Sequence, residues 1–374
     1  MNRTIHFTLL LLCISLSLPS LLKAQNKNKH YVQTHLMTEE DGSRSRETVT
    51  YYDSFGLEYE TLEVGATPQG KDLQTPIGYD GFFRKTMEFL PRPAGNTDFY
   101  ADTNPYHYTV YENSELNRVR EAYGPGQTWQ ENGKAVKYAY LVNKASGVLS
   151  CSYYQVEELD RDIKLTRSGN YTPGELTITQ VTDEDGHITY TFSDSSGRLV
   201  LTRQMNGTVA HDTYIVYDDR GRKRIALPPS AADALTAVES WLCSQSEPIQ
   251  LYGYIYRYDG RDRCIEKKLP GCAPIYYVYD KSDRMVLKQD GNDREVKRWQ
   301  SYQYDHLGRQ VIWGFFKSPS SHQYWITFCQ NKVLSVGYTG AQTPMENYGY
   351  SSVAQISLRC TPLIINYYDD YDYT

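Results

Sequence analysis

The chain has 374 residues, a net charge of −6 and 22% charged residues. That balance excludes the basic footprint of a nucleic-acid binder and the composition of a highly charged disordered chain. Tyrosine stands out at 35 residues, against 10 Phe and 5 Trp, and such an excess points to half-wet sheet faces where the ring packs and the hydroxyl meets water.

Residues 1–24 read as a secretory signal: Arg3 opens it, an apolar stretch runs from Phe7 to Leu22, and Ala24 offers a small residue for cleavage before Gln25. Ser15, Ser17, Pro19 and Ser20 break the stretch, which argues against a spanning helix. Leu10–Leu12 supply no small residue before Cys13, against a lipoprotein anchor. Residues 25–46 are polar and read as an arm. From Glu47 the pattern is that of strands. Thr48–Tyr52 leads into Asp53-Ser54-Phe55-Gly56-Leu57, and a similar phrase follows at Tyr79-Asp80-Gly81-Phe82-Phe83-Arg84. Phe83 stands where a turn wants glycine, so this turn is expected to differ. Prolines 91, 93, 105 and 125 mark a loop-rich lapse to Gly126. Strands are expected at 134–142, 148–156 and 176–181, and Asp185-Gly186 is expected to join the last to 188–192 as a two-residue hairpin.

The phrase then recurs, starting at residues 193, 217, 258, 279 and 304. Its clearest copies are Tyr217-Asp218 with Gly221-Arg222, Tyr258-Asp259 with Arg263, Tyr279-Asp280 with Arg284, and Tyr304-Asp305 with Gly308-Arg309. Tyr favours strands. Asp ends the strand, because its carboxylate accepts backbone N–H groups two residues on. The fifth place takes Gly, or Asp in two copies, both tolerant of the left-handed region. The closing Arg can pair with the Asp or lie over a Tyr face. Each copy therefore reads as one hairpin. Tyr252, Tyr254 and Tyr256 precede Tyr258 at period two, which would put all four rings on one strand face. The long gap before 258 holds one inserted helix at 231–246, with Ser230 and Asp233 as its capping pair. Beyond Trp313, strands are expected at 324–328, 333–338 and 363–368. Tyr368-Asp369 could begin another copy, and the chain stops at Thr374 before a return strand; a fragment or a short gene of something longer is expected.

These phrases resemble the YD repeats of bacterial Rhs proteins, over residues 47–313. Residues 52–93, the run from Tyr111 to Val119 and Tyr123-Gly124-Pro125-Gly126-Gln127-Thr128-Trp129 resemble the domain of unknown function that precedes such repeats; residues 201–207 and 268–272 resemble the repeat segment. The resemblance implies a sheet that, in longer relatives, wraps into a hollow shell around a C-terminal passenger, often a toxin. The core-associated and variable C-terminal segments of those relatives are not matched here.

The expected architecture is all-β: stacked antiparallel hairpins forming a curved sheet or partial shell. The expected division is a signal at 1–24, an arm at 25–46, a β domain with degenerate repeats at 47–187 and a YD-repeat sheet at 188–374. The expected role is a secreted or cell-envelope scaffold without catalysis, cofactor or metal, which meets a membrane only during export. Surface glycans or a passenger domain are the partners considered, and nucleic acid is not one. Tyr252, Tyr254 and Tyr256 are the candidate binding surface of the alternative, a glycan- or protein-binding module; a glycan hydrolase is the second alternative. Asp183-Glu184-Asp185-Gly186 starts like a calcium loop but lacks the later ligands. Glu157, Glu158, Asp160 and Asp162 read as a wet charged face. Cys264 and Cys272 flank a turn, so a bridge there and plain buried thiols are both open.

Overall fold

The computed structural model describes residues 29–39, 44–94, 105–160, 162–235, 239–338, 340, 349–350 and 360–368; the expected signal at 1–24 and Asp369 lie outside them. The chain is nearly all β, with a few short helices. It divides into two units, Met1–Ala139 with Thr182–Gly186, and Tyr140–Val181 with His187–Thr374.

In the first unit β1 (His30–Met37), β2 (Ser45–Tyr52), β3 (Glu58–Glu63), β4 (Leu73–Tyr79) and β5 (Lys85–Phe89) are successive antiparallel neighbours. The short β6 (Arg92–Pro93) pairs with β4, and β7 (Tyr106–Tyr111) pairs with β5. β8 (Val119–Tyr123) follows β7; after α1 (Gln127–Glu131), β9 (Ala135–Val142) pairs with β8. Period-two burial puts Val49, Tyr51 and Leu62 in a small core. The polar arm is corrected: its His30–Met37 stretch is a strand in full register with β2. Its side chains are mostly exposed, so no hydrophobic alternation betrayed it; backbone pairing holds it, with Tyr31 against Tyr51 and Gln33 donating to Glu47.

In the second unit β10 (Ser152–Glu158) and β11 (Ile163–Asn170) pair, β12 (Thr177–Thr182) follows, and a main antiparallel sheet begins. Its strands are β13 (Ile188–Ser193), β14 (Leu199–Asn206), β15 (Val209–Tyr217) and β16 (Lys223–Leu227). After the insertion α2 (Pro229–Ala234), β17 (Ser240–Leu242) and α3 (Glu247–Tyr252), it continues through β18 (Tyr254–Tyr258), β19 (Cys264–Lys268), β20 (Ile275–Tyr279) and β21 (Met285–Gln289). α4 (Gly291–Glu295) leads to β22 (Arg298–Tyr304) and β23 (Gln310–Lys317); α5 (His322–Cys329) precedes β24 (Thr361–Ile365), which pairs with β23. Tyr154, Ile163 and Leu165 of the small sheet, with Cys151 just before it, pack against Phe192, Leu201, Val216, Ile225 and Leu227 of the main one. Farther along, Val278, Leu287, Trp299 and Phe316 are covered by Trp325 and Cys329 of α5.

Several expectations are corrected. The helix expected at 231–246 stops at Ala234, and Ser240–Leu242 instead pairs with Lys164–Thr166 of β11. Pro228, not Ser230, occupies the N-cap, and no side chain caps it. Ser240 and Trp241 are weak helix formers, and their pairing with β11 satisfies their backbone while Leu235 still reaches the core. The strand expected at 324–328 is α5, whose Ser321 hydroxyl accepts from the Tyr324 N–H at 3.2 Å. There, burial of Trp325 and Cys329 four residues apart overrides the β preference of the aromatics. Residues 333–338 make only isolated bridges, Ser335 with Tyr304 and Tyr338 with Tyr350.

Candidate functional site: the repeat ladder

Each copy folds as a type I turn closed by one left-handed residue, the bulged hairpin loop. In the copy at 258, the Asp259 N–H donates to the Arg263 carbonyl at 3.0 Å and the Asp262 N–H donates to the Asp259 carbonyl at 3.1 Å. The Asp259 Oδ1 accepts from the Arg261 and Arg263 N–H groups at 2.9 and 3.1 Å; its Oδ2 accepts from Arg263 Nε at 2.7 Å. Asp218 and Arg222, Asp280 and Arg284, and Asp305 and Arg309 repeat this geometry. The fifth residue is left-handed throughout: Gly221 at φ 75°, Asp262 at 63°, Asp283 at 61° and Gly308 at 83°. Phe83 also sits there, at φ 61°, and its turn keeps the Asp80–Arg84 bonds at 3.0 Å. The expectation that this turn differs is therefore corrected: the Asp80 hydrogen bonds outweigh the cost of a left-handed Phe. Asp183–Gly186 is corrected likewise. It forms the same loop, with the Gly186 N–H on the Asp183 carbonyl at 3.1 Å and the Asp185 N–H on the Asp183 carboxylate at 3.0 Å.

Burial alone would raise the carboxyl groups of Asp218, Asp259 and Asp305, but the hydrogen bonds and charge of the arginine four residues on hold each below the usual carboxylate range.

Neighbouring turns are joined by three further contacts. The arginine of one copy lies over the tyrosine of the next: Arg222 over Tyr258 at 5.2 Å, Arg263 over Tyr279 at 5.0 Å and Arg284 over Tyr304 at 5.2 Å. The same guanidinium donates to the next Asp carbonyl, at 3.4 Å on Asp259, 2.8 Å on Asp280 and 3.1 Å on Asp305. In return each tyrosine hydroxyl donates to the carbonyl just after the previous arginine: Tyr258 to Lys223 at 3.0 Å, Tyr279 to Cys264 at 3.0 Å and Tyr304 to Met285 at 2.9 Å. Asp262 and Asp283 do more than tolerate the turn. Their carboxylates accept from Arg222 at 2.8 Å and Arg263 at 2.9 Å, links that a glycine cannot make. Tyr368 follows the same rule, with Arg309 over its ring at 4.6 Å and its hydroxyl on the Gln310 carbonyl at 3.2 Å.

This signature exposes a copy missed in the sequence. In the first unit, Arg84 lies over Tyr111 at 4.8 Å and donates to the Glu112 carbonyl at 3.0 Å, while the Tyr111 hydroxyl donates to the Lys85 carbonyl at 3.0 Å. Glu112 replaces Asp and Arg118 closes a turn two residues longer, its Nε on Glu112 at 2.7 Å. The lapse expected at 91–126 thus holds a stretched copy, and a Tyr–acid pair followed by Arg was the signal available.

The tyrosine row is corrected too. Tyr252 ends α3, while Tyr254, Tyr256 and Tyr258 lie on β18. Tyr256 is engaged by Lys223 at 5.1 Å and Lys267 at 5.9 Å. Glu158 is exposed, as the wet-face reading expects, and it also accepts from Arg224 Nη2 and, at 3.1 Å, from Arg257 Nη2. Asp162 accepts from the Ser244 hydroxyl at 2.6 Å. All six described cysteines are free, and Cys151, Cys243, Cys329 and Cys360 are buried, so the Cys264–Cys272 bridge does not form. Sequence reasoning also passed over His322, which stacks on Tyr276 at 4.4 Å.

A family model described as a domain of unknown function, DUF6443, matches residues 24–142. No curated protein matches the chain. Among solved structures the chain is similar to the crystal structure of TcdB2-TccC3-TEV, at 13% identity and TM-score 0.50, over 82% of this chain and 14% of that one. It also matches the crystal structure of TcdB2-TccC3, at 11% identity and TM-score 0.49, over 86% of this chain and 15% of that one. At such identity the first likeness shows the fold alone: antiparallel β-sheet. This chain spans about a seventh of the length of the first structure it matches.

Proposed function

We propose that the chain is a wall segment of an exported Rhs-type protein, a structural element with no chemistry of its own. The observation that carries this reading is the use to which the repeat puts its polar groups. The aspartates are spent on their own turns, and the arginines and tyrosines on their neighbours. A motif repeated for catalysis would leave at least one such group free to meet substrate; this one is consumed in joining hairpin to hairpin, as in arrays whose units bury themselves only against neighbours. Export rests on the apolar, proline-broken character of residues 1–24. The tyrosine face of the binding-module reading is reduced to Tyr254, Tyr256 and Tyr258 on β18, since Tyr252 lies on α3.

The test uses the chain from Gln25, secreted and purified, against polysaccharides, chromogenic glycosides, esters and phosphate esters, and against limited proteolysis. The reading expects no turnover and a protease-resistant body that includes residues 254–317. Turnover that persists through repurification and disappears in a point variant would refute it.

A further inference from the structure

On the second unit a half-open cavity of about 460 Å3 lies between the strands at 266–289 and the start of α5. Its wall is Tyr276, whose ring stacks on the His322 imidazole at 4.4 Å with an interplanar angle of 9° and also faces the Arg294 guanidinium at 4.4 Å. His322 Nε2 meets the Tyr277 carbonyl at 2.9 Å. Burial outweighs that bond and the nearby Arg257 and Arg294 charges add to it, so the imidazole is held neutral more strongly than usual. Three full charges share this cavity: Glu266, Arg294 and Lys297. Among the described residues neither Arg294 nor Lys297 makes an ion pair, and Glu266 reaches only Arg257, at a long 3.8 Å. Burial raises the Glu266 carboxyl, and Arg257 and Arg294 only partly offset it. Glu266 and Arg294 are half-buried and Lys297 is exposed, and half-buried charges are normally paired at close range. Here, among the described residues, the Arg294 guanidinium reaches only the Gln289 carbonyl, at 3.4 Å, and the Tyr276 ring, and opposite charges face one space without closing on each other, an arrangement that suits a ligand carrying both signs.

We infer that this cavity binds a small zwitterion of the α-amino-acid type, its carboxylate on Arg294 and Lys297, its ammonium on Glu266, and its side chain along the Tyr276 wall. The inference does not depend on the wall-segment reading: a structural segment can carry such a site, and either can fail alone.

The test is calorimetric titration of the full chain with each common L-amino acid singly, and with acetate and methylammonium as single-charge probes. At least one amino acid should bind saturably where acetate and methylammonium at the same concentration do not. Glu266→Gln and Arg294→Gln should each weaken that binding by about tenfold, the worth of one charge-assisted contact. Lys297 has φ 53°, so Lys297→Gly relaxes the backbone while removing a charge; weaker binding in that variant, with an unlowered melting temperature, separates loss of the site from loss of the fold. Absence of saturable binding by every amino acid, acetate binding as well as the amino acid, or binding unchanged in Glu266→Gln would each overturn the inference.

Discussion

Asp280 is the most buried of the repeat aspartates, with no exposed surface, and its replacement measures what one rung of the ladder contributes. Its Oδ1 accepts from the Ser282 and Arg284 N–H groups at 2.9 and 3.0 Å. Its Oδ2 accepts from Arg284 Nε and Nη2 at 3.0 and 2.6 Å, and from the Leu334 N–H at 3.3 Å. Asp280→Ala leaves two turn amides unpaired, at about 1 kcal/mol each, and strips a half-buried guanidinium of its counter-charge. Breaking a buried pair by removing one partner costs roughly 3–5 kcal/mol in total. Arg284 keeps its bonds to the Asp305 and Leu334 carbonyls, which places the expected loss toward the lower end, about 3 kcal/mol. Asp280→Asn keeps the acceptor for the turn amides and loses only the charge, so about half of that loss is expected. Asp53 is the control: among the described residues its carboxylate accepts only from the Phe55 and Leu57 N–H groups, at 2.9 and 2.8 Å, with no arginine. Asp53→Ala also leaves two amides unpaired, but Phe55 is exposed and water replaces part of the loss, so it should cost about 1 kcal/mol, the value of a cap. Urea unfolding at neutral pH, followed by far-ultraviolet circular dichroism, compares the three. Equal losses for Asp280→Ala and Asp53→Ala would refute the assignment of the larger share to the arginine pair.

Gly308→Val should destabilise by about 1 kcal/mol or more, because Gly308 holds φ 83° with open space around it; an unchanged melting temperature would contradict the left-handed turn. The Asp259 carboxyl titrates below its ordinary value, so its stabilisation is complete above the unfolded value of about 3.9 and drains away as pH falls through the lower folded value. The stability gap between the natural chain and Asp259→Asn should therefore be full at pH 6 and shrink below about pH 4; a gap constant down to pH 2 would show that the carboxylate charge is not its source. Burial pushes the Cys243 and Cys329 thiols up to about 12, whereas Cys272 is exposed and free. Iodoacetamide should label Cys272 in the folded chain and Cys243 and Cys329 only in denaturant, as read by mass spectrometry. Labelling of Cys272 that requires prior reduction would reinstate the bridge to Cys264.

The hairpins were legible because one short phrase carries its own turn chemistry. Tyr at a strand end, an Asp that binds ahead and a left-handed fifth residue are local, so Asp259, Asp280 and Asp305 stand where the sequence places them. What joins the hairpins was not legible. The reach of Arg263 to Tyr279 and Asp283 spans separate copies, and nothing in one copy announces it. Asp283 looked like a substitute for glycine, while its second task depends on the arginine before it. Phe83 and Glu112 show the converse error: side-chain identity was weighed above the hydrogen-bond frame, which absorbs a left-handed Phe and a two-residue stretch. The insertion failed for a tertiary reason. Leu235 and Leu242 have helical spacing, yet the edge of β11 offers Trp241 a strand partner in Leu165, and a single-sequence period cannot see that edge.

The account rests on each turn leaning on the next, and hydrogen exchange on an Arg263→Met variant tests that most directly. Arg263 touches its own turn through Asp259 and the following one through the Asp280 carbonyl, Tyr279 and Asp283. The ladder predicts faster exchange at the amides of Ser282 and Arg284 as well as at Arg261. Faster exchange confined to residues 259–263, with the turn at 280–284 as protected as before, would mean that the hairpins stand separately.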